Sequence, residues 1–152
     1  MNPPKENKSQ ITFLNFSIKK EIIKAIGELG FINPTPIQEK VIPVLMESKQ
    51  DLIATAQTGT GKTAAFGLPL LSLTKINNSK TQTLILCPTR ELCIQITNDL
   101  KNYSKYLDGI NVVAVYGGEK IDIQMRALRR GSQVVVGTPG RTKDLIRRKV
   151  LK

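Results

Sequence analysis

Residues 51–71 demand a strand, a glycine-rich loop and a helix in immediate succession. Asp51-Leu52-Ile53-Ala54-Thr55 is short, apolar and partly β-branched, which predicts a buried strand. Ala56-Gln57-Thr58-Gly59-Thr60-Gly61-Lys62-Thr63 follows, and Ala64 to Leu71 can begin a helix. In that setting, free N–H groups of the loop and of the helix start converge on phosphate oxygens, and the helix dipole adds to the attraction. Lys62 would reach the β- and γ-phosphates of a nucleoside triphosphate, and the Thr63 hydroxyl would hold Mg²⁺. The generic pattern G-x-x-x-x-G-K-[ST] starts with glycine, whereas this one starts with Ala56, a single small residue away. The plain alternative is a glycine-rich turn that contains a lysine, and the strand and helix on either side argue against it.

The rest of the chain repeats the alternation. Ile18, Ile22, Ile23, Ile26 and Leu29 share one helical face, with Gly30 placed to end the helix. Thr35 and Pro36 are suited to cap and open a second helix, whose buried side would carry Val41, Ile42, Leu45 and Met46. Pro43 inside that run predicts a kink or a split. Apolar runs at 83–87, 112–116 and 133–137 predict three further strands. Helical stripes follow them: Leu92, Ile96, Leu100 and Tyr103; Ile121, Met125 and Leu128; then a basic helix from about residue 141 that buries Leu145 and Val150. Unbroken apolar strands alternating with helices predict an α/β fold, a parallel sheet covered on both faces. Such sheets bind ligands at the carboxyl ends of their strands. The distinctive loops all follow strands, so Pro88-Thr89-Arg90-Glu91, Gly117-Gly118 and Thr138-Pro139-Gly140-Arg141 should share one edge with the P-loop.

Charge and cysteine usage narrow the classes. The chain has 152 residues, enough for one domain with a real core, and its net charge is +11. Nine basic residues and one acidic residue occupy positions 126–152, which suggests a polyanionic partner, most simply a phosphate backbone. A solubilising surface is the bland alternative. No apolar run approaches the roughly 18 residues a bilayer span needs, so no membrane association is expected. Residues 1–11 read as a polar, disordered leader without the apolar stretch of a signal peptide, in a cytoplasmic protein. Cys87 and Cys93 fit no zinc pattern, no histidine is present, and both cysteines read as buried small hydrophobes rather than a disulfide. Without histidine, Ser-His and Cys-His nucleophilic chemistry is excluded within the chain.

Five stretches in order now resemble the first RecA-like domain of DEAD-box ATP-dependent RNA helicases, over about residues 12–152. Gly30-Phe31 and Pro34-Thr35-Pro36-Ile37-Gln38 resemble the Q motif, and Phe13 lies seventeen residues before Gly30, where the family carries an aromatic. Ala56 to Thr63 resembles motif I, including its leading alanine. Pro88-Thr89-Arg90-Glu91-Leu92 is similar to motif Ia, Gly117-Gly118 to the GG element, and Thr138-Pro139-Gly140-Arg141 to motif Ib. Thr142 and Cys93 stand where an apolar residue and a small alanine are usual in the family.

The resemblance implies ATP and Mg²⁺ as ligands, with Phe13, Phe31, Pro36 and Gln38 at the adenine. A side-chain amide can pair bidentately with adenine N6 and N7. It also implies that Pro88, Thr89, Arg90, Glu91, Gly117, Gly118, Thr138, Pro139, Gly140 and Arg141 hold RNA phosphates and sugars without reading sequence. For Phe13, an ordinary core anchor is the alternative, and for Arg90 and Arg141 a structural ion pair. The family's Asp-Glu-Ala-Asp strand, its Ser-Ala-Thr motif and a second RecA-like domain that supplies an arginine are expected beyond Lys152. The sheet within these residues is therefore expected to be incomplete at its C-terminal end, with uncovered strand edges. The expected function is that of an ATP-dependent RNA helicase in a longer parent, this portion holding nucleotide and RNA weakly without turnover. Two alternatives stand beside it, a non-catalytic RNA- and nucleotide-binding module and a P-loop NTPase with no nucleic-acid role.

Overall fold

The structure, a computed structural model, describes residues 11–152. All but one residue of the expected leader lies outside the described residues. Six α-helices and three β-strands follow one another as α1 Lys20–Glu28, α2 Pro36–Glu47, α3 Lys62–Leu73, β1 Thr83–Leu86, α4 Arg90–Tyr103, β2 Val112–Val115, α5 Ile121–Arg129, β3 Val134–Gly137 and α6 Pro139–Arg147, with a 3-10 turn at Phe13–Asn15. The strands are parallel in the order β1-β3-β2, with Thr83 and Val112 both opposite Val134.

Side-chain alternation along the strands sorts the core into two layers. Val112, Val134 and Val136 pack with Ile22, Ile26, Leu68, Leu71, Ile96 and Leu100 of α1, α3 and α4. Val113, Val115 and Val135 turn to the other face and meet Leu128 of α5, Leu145 of α6 and Leu151. Helices thus cover both faces, as the apolar strands predict. Gly30 ends α1 at φ +84°, Pro36 opens α2, and α2 continues through Pro43, so the expected split does not occur. A second proline, Pro69, sits buried inside α3.

Two strand expectations are corrected. Residues 51–55 form no strand; they pair with no neighbour, and Ile53 is 95% exposed and Leu52 40%. A strand exists by its hydrogen-bonded partner, and β1, the nearest apolar strand in sequence, is paired on β3 alone. β1 is also half-covered rather than buried on both faces: Leu84 and Leu86 are 42% and 56% exposed, whereas Val134, Val135 and Val136 of the central strand are fully buried. The open edge expected of an incomplete sheet is therefore the outer edge of β1. A cavity of about 620 Å³ runs between Leu52 and Ala54 on one side and Leu92 and Ile96 of α4 on the other, with Lys62, Thr63 and Phe66 along it.

Candidate functional site

The loop from Ala56 to Thr63 enters α3 through Gly61, whose φ of +84° is left-handed. Gly61 has a second constraint besides conformation, since a Cβ there would collide with Gln38 Nε2. Gln38, 2% exposed in the first turn of α2, donates from Nε2 to the Gly61 carbonyl at 3.1 Å and accepts at Oε1 from the Thr35 N–H at 2.9 Å. Thr35 Oγ1 donates to the Thr60 carbonyl at 2.9 Å. The start of α2 therefore holds the phosphate loop through one buried amide and one hydroxyl.

The N–H groups of Gly59, Thr60, Gly61, Lys62 and Thr63 donate to no carbonyl among the described residues. That row of free donors at a helix start fits phosphate oxygens. Lys62 Nζ donates to the Ala56 carbonyl at 2.6 Å, folding across the loop, and Thr60 Oγ1 donates to the Gln57 carbonyl at 2.7 Å. Thr58 and Gly59 form the turn at the loop tip. Thr63 is half-buried beside Lys62 on the same cavity. No group of three or more His, Cys, Asp or Glu side chains that could hold a metal occurs among the described residues. A magnesium ion at Thr63 would accordingly take its remaining ligands from phosphates and water, as Mg²⁺ usually does.

Gln38 keeps one N–H and one lone pair beyond the two bonds it makes, which is what a bidentate contact to adenine requires. Phe31 is half-buried and Pro36 exposed near it. Phe13 is different. It is 3% exposed, its ring 6.3 Å from Phe16 and 6.4 Å from Phe31, which in turn lies 5.9 Å from Tyr103. The stacking face expected for adenine is closed by this aromatic cluster, and Phe13 serves as a core anchor.

The three strand-end loops share an edge, as the parallel topology requires. Pro88, Thr89, Arg90 and Glu91 follow β1 and are all exposed; Thr89 caps α4, its Oγ1 accepting from the Leu92 N–H at 3.2 Å. Exposed Gly117 and Gly118 follow β2. Gly118, at φ +83°, would press a Cβ to 3.2 Å from Arg90 Nη1. Thr138 caps α6, Pro139 and Gly140 are exposed in its first turn, and Arg141 is half-buried. Neither arginine forms an ion pair with a carboxylate among the described residues; the two salt bridges found are Lys105–Glu28 and Arg148–Asp144, elsewhere on the surface. The guanidinium of Arg90 lies 4.9 Å over the Tyr116 ring, and Arg141 donates to Gln124 Oε1 at 2.9 Å and to the Glu119 carbonyl at 3.0 Å.

Two of those holders, Tyr116 and Gln124, were not anticipated from sequence. Gln124 did leave a signal: it stands at the i+3 position of the stripe that carries Ile121, Met125 and Leu128, a polar residue where the helix turns inward. Cys87 and Cys93 are buried free thiols, and burial pushes the Cys93 thiol up to about 12, so neither is a nucleophile. No helix among the described residues is long and apolar enough to cross a membrane.

Comparison with known proteins narrows what this edge belongs to. The family model described as DEAD/DEAH box helicase matches residues 35–152. The chain belongs to that family. The ATP-dependent RNA helicase DeaD of Buchnera aphidicola (subsp. Baizongia pistaciae) is 46% identical over 143 residues, 94% of this chain and 24% of the relative. DeaD of Escherichia coli K12 is 46% identical over 142 residues, 93% of this chain and 22% of the relative. The chain thus spans about a quarter of the length of these curated relatives. Among solved structures, a DEAD box protein from the hyperthermophile Methanococcus jannaschii superposes with a TM-score of 0.87 at 40% identity, covering 93% of this chain and 38% of that one. Saccharomyces cerevisiae Dbp5 bound to RNA and ADP BeF3 superposes at 0.82 with 32% identity, covering 93% and 35%. The incomplete three-stranded sheet of this DEAD-box chain is therefore part of a RecA-like domain.

Proposed function

We propose that the chain is the nucleotide-holding and RNA-backbone-holding portion of an ATP-dependent RNA helicase. The observation that carries this reading is the placement of a phosphate loop with free N–H donors and two arginines without carboxylate partners on loops at one edge of a parallel sheet. Gly59 to Thr63 bind the triphosphate through backbone donors and Lys62, after Lys62 leaves the Ala56 carbonyl. Thr63 holds Mg²⁺, which neutralises charge on the phosphate oxygens. Gln38 orients adenine through its spare donor and acceptor, with Phe31 and Pro36 beside it, and its other two bonds tie base recognition to loop shape. Arg90 and Arg141 hold RNA phosphates, with Thr89, Gly118 and Thr138 close enough to accept a strand without steric hindrance. Base edges are not read, so binding is independent of sequence.

The carboxylates that would activate water have no counterpart at this edge, so the chain alone binds without appreciable turnover. Its partners in the parent are RNA and a second RecA-like domain, in the cytoplasm. Titrating a short single-stranded RNA against salt tests the RNA half. The double variant Arg90→Ala/Arg141→Ala should lower the slope of log affinity against log salt by about two, one per lost phosphate contact. An unchanged slope would refute the RNA assignment and favour a P-loop NTPase with no nucleic-acid role.

A further inference from the structure

Arg90 and Arg141 come from loops after different strands, yet both rest on the segment between Tyr116 and Gln124. The Tyr116 ring lies under the Arg90 guanidinium at 4.9 Å. Gln124, 4% exposed, donates from Nε2 to the Tyr116 carbonyl at 3.1 Å, while its Oε1 accepts from Arg141 Nη1 at 2.9 Å. Glu119, within the same segment, accepts Arg141 Nη2 through its backbone carbonyl at 3.0 Å. The four side chains form one continuous line: Arg90, Tyr116, Gln124, Arg141.

The chemistry of this line is selective. Every group that holds the two guanidiniums is neutral: an aromatic face, an amide oxygen and a peptide oxygen. Glu119 contributes its main chain and not its carboxylate. A carboxylate would hold arginine more strongly but would neutralise the charge that a phosphate needs. A guanidinium has five N–H donors, and Arg141 spends two of them here, which leaves three. Both cations are thus fixed in place and left charged. Fixing a flexible side chain in advance removes part of the ordering cost at binding.

We infer that Tyr116 and Gln124 are positioning residues that set the spacing of Arg90 and Arg141 for two phosphates of one RNA strand. This rests on the RNA reading of the edge given above. Gln124→Met removes both amide bonds at nearly constant volume. Gln124→Glu keeps an acceptor for Arg141 but pairs its charge and withdraws the donor from the Tyr116 carbonyl. Tyr116→Leu removes the ring under Arg90, and Tyr116→Phe retains it.

The 152-residue chain carrying each change is titrated with a short single-stranded oligouridylate across a salt series, with its thermal midpoint measured alongside. Gln124→Met, Gln124→Glu and Tyr116→Leu should each weaken binding about 3- to 10-fold, the range expected when a side chain must be ordered on binding. Tyr116→Phe should bind as the unaltered chain does. Gln124→Glu should also lose about one unit of salt slope, because a charge has been paired. Adding Gln124→Met to Arg141→Ala, or Tyr116→Leu to Arg90→Ala, should cost little further, since each pair acts as a unit. Full affinity in Gln124→Glu and Tyr116→Leu while Arg90→Ala and Arg141→Ala bind weakly would overturn the inference and leave the RNA reading intact. Unchanged affinity in the two arginine variants as well would overturn both. If Gln124→Met lowers the thermal midpoint too far to be assayed, Gln124→Glu and the tyrosine pair decide the matter alone.

Discussion

The edge has two halves, and they are built differently. The half that carries Arg90, Gly118 and Arg141 stands on β1, β2 and β3, three strands hydrogen-bonded to one another over a fully buried Val134-Val135-Val136. The half that carries Lys62 and Thr63 follows a segment with no strand partner, in which Ile53 is almost wholly exposed. Each half nevertheless depends on one buried amide, Gln124 in the first and Gln38 in the second. The comparison separates two tasks. An amide with fixed partners sets the local shape of a loop, whereas a sheet sets where that loop stands relative to others. The RNA half has both supports. The nucleotide half has its amide, and takes its position from the packing of α2 on α3.

If the strand-borne half is the rigid one, its core should be the costliest place to cut. Leu145→Ala, at a fully buried position under β3, should destabilise by about 2–5 kcal/mol in denaturant unfolding; a loss below 1 kcal/mol would mean that the two halves do not differ in packing. Next comes Gly61→Ala, which strains a left-handed residue by about 1–2 kcal/mol and pushes on Gln38. Its larger effect should be on ATP affinity, by calorimetry, and retained affinity would show that the amide does not shape the loop. Thr142→Val should act in the opposite direction. The Thr142 hydroxyl is buried with no hydrogen-bond partner among the described residues, and its removal should raise stability by about 1 kcal/mol or more. An unchanged or lower midpoint would place an unseen partner there. The smallest effect belongs to the nucleotide half: Ile53→Ser should stay within about 0.5 kcal/mol of the unaltered chain, because the side chain is already in solvent. A loss of 2 kcal/mol would mean that residues 51–55 are covered in solution and would erase the contrast.

Much of this was legible in the sequence because it depends on local chemistry. Helix starts at Thr35-Pro36 and Thr89-Arg90, the helix end at Gly30, the parallel sheet and the common edge of four loops all follow from propensity, caps and period. Ala56 to Thr63 and the three strand-end motifs could be named before any coordinate. The failures share a different cause. Residues 51–55 have a strand's composition, yet hydrogen bonding to a neighbour makes a strand, and composition cannot supply the neighbour. Leu84 and Leu86 belong to an apolar run as unbroken as Val134-Val135-Val136, but β1 lies at the edge and β3 in the middle. Phe13 carried two readings, and only its packing against Phe16 and Phe31 chose between them.

Sequence alone therefore determined which residues can meet phosphate, since a glycine loop before Gly-Lys-Thr and arginines at helix starts carry that chemistry wherever they are placed. Tertiary structure decided what holds them. Gln38 and Gln124 are ordinary amides along the chain, and they become supports only because folding buries them, where an amide must find partners and so fixes whatever it bonds.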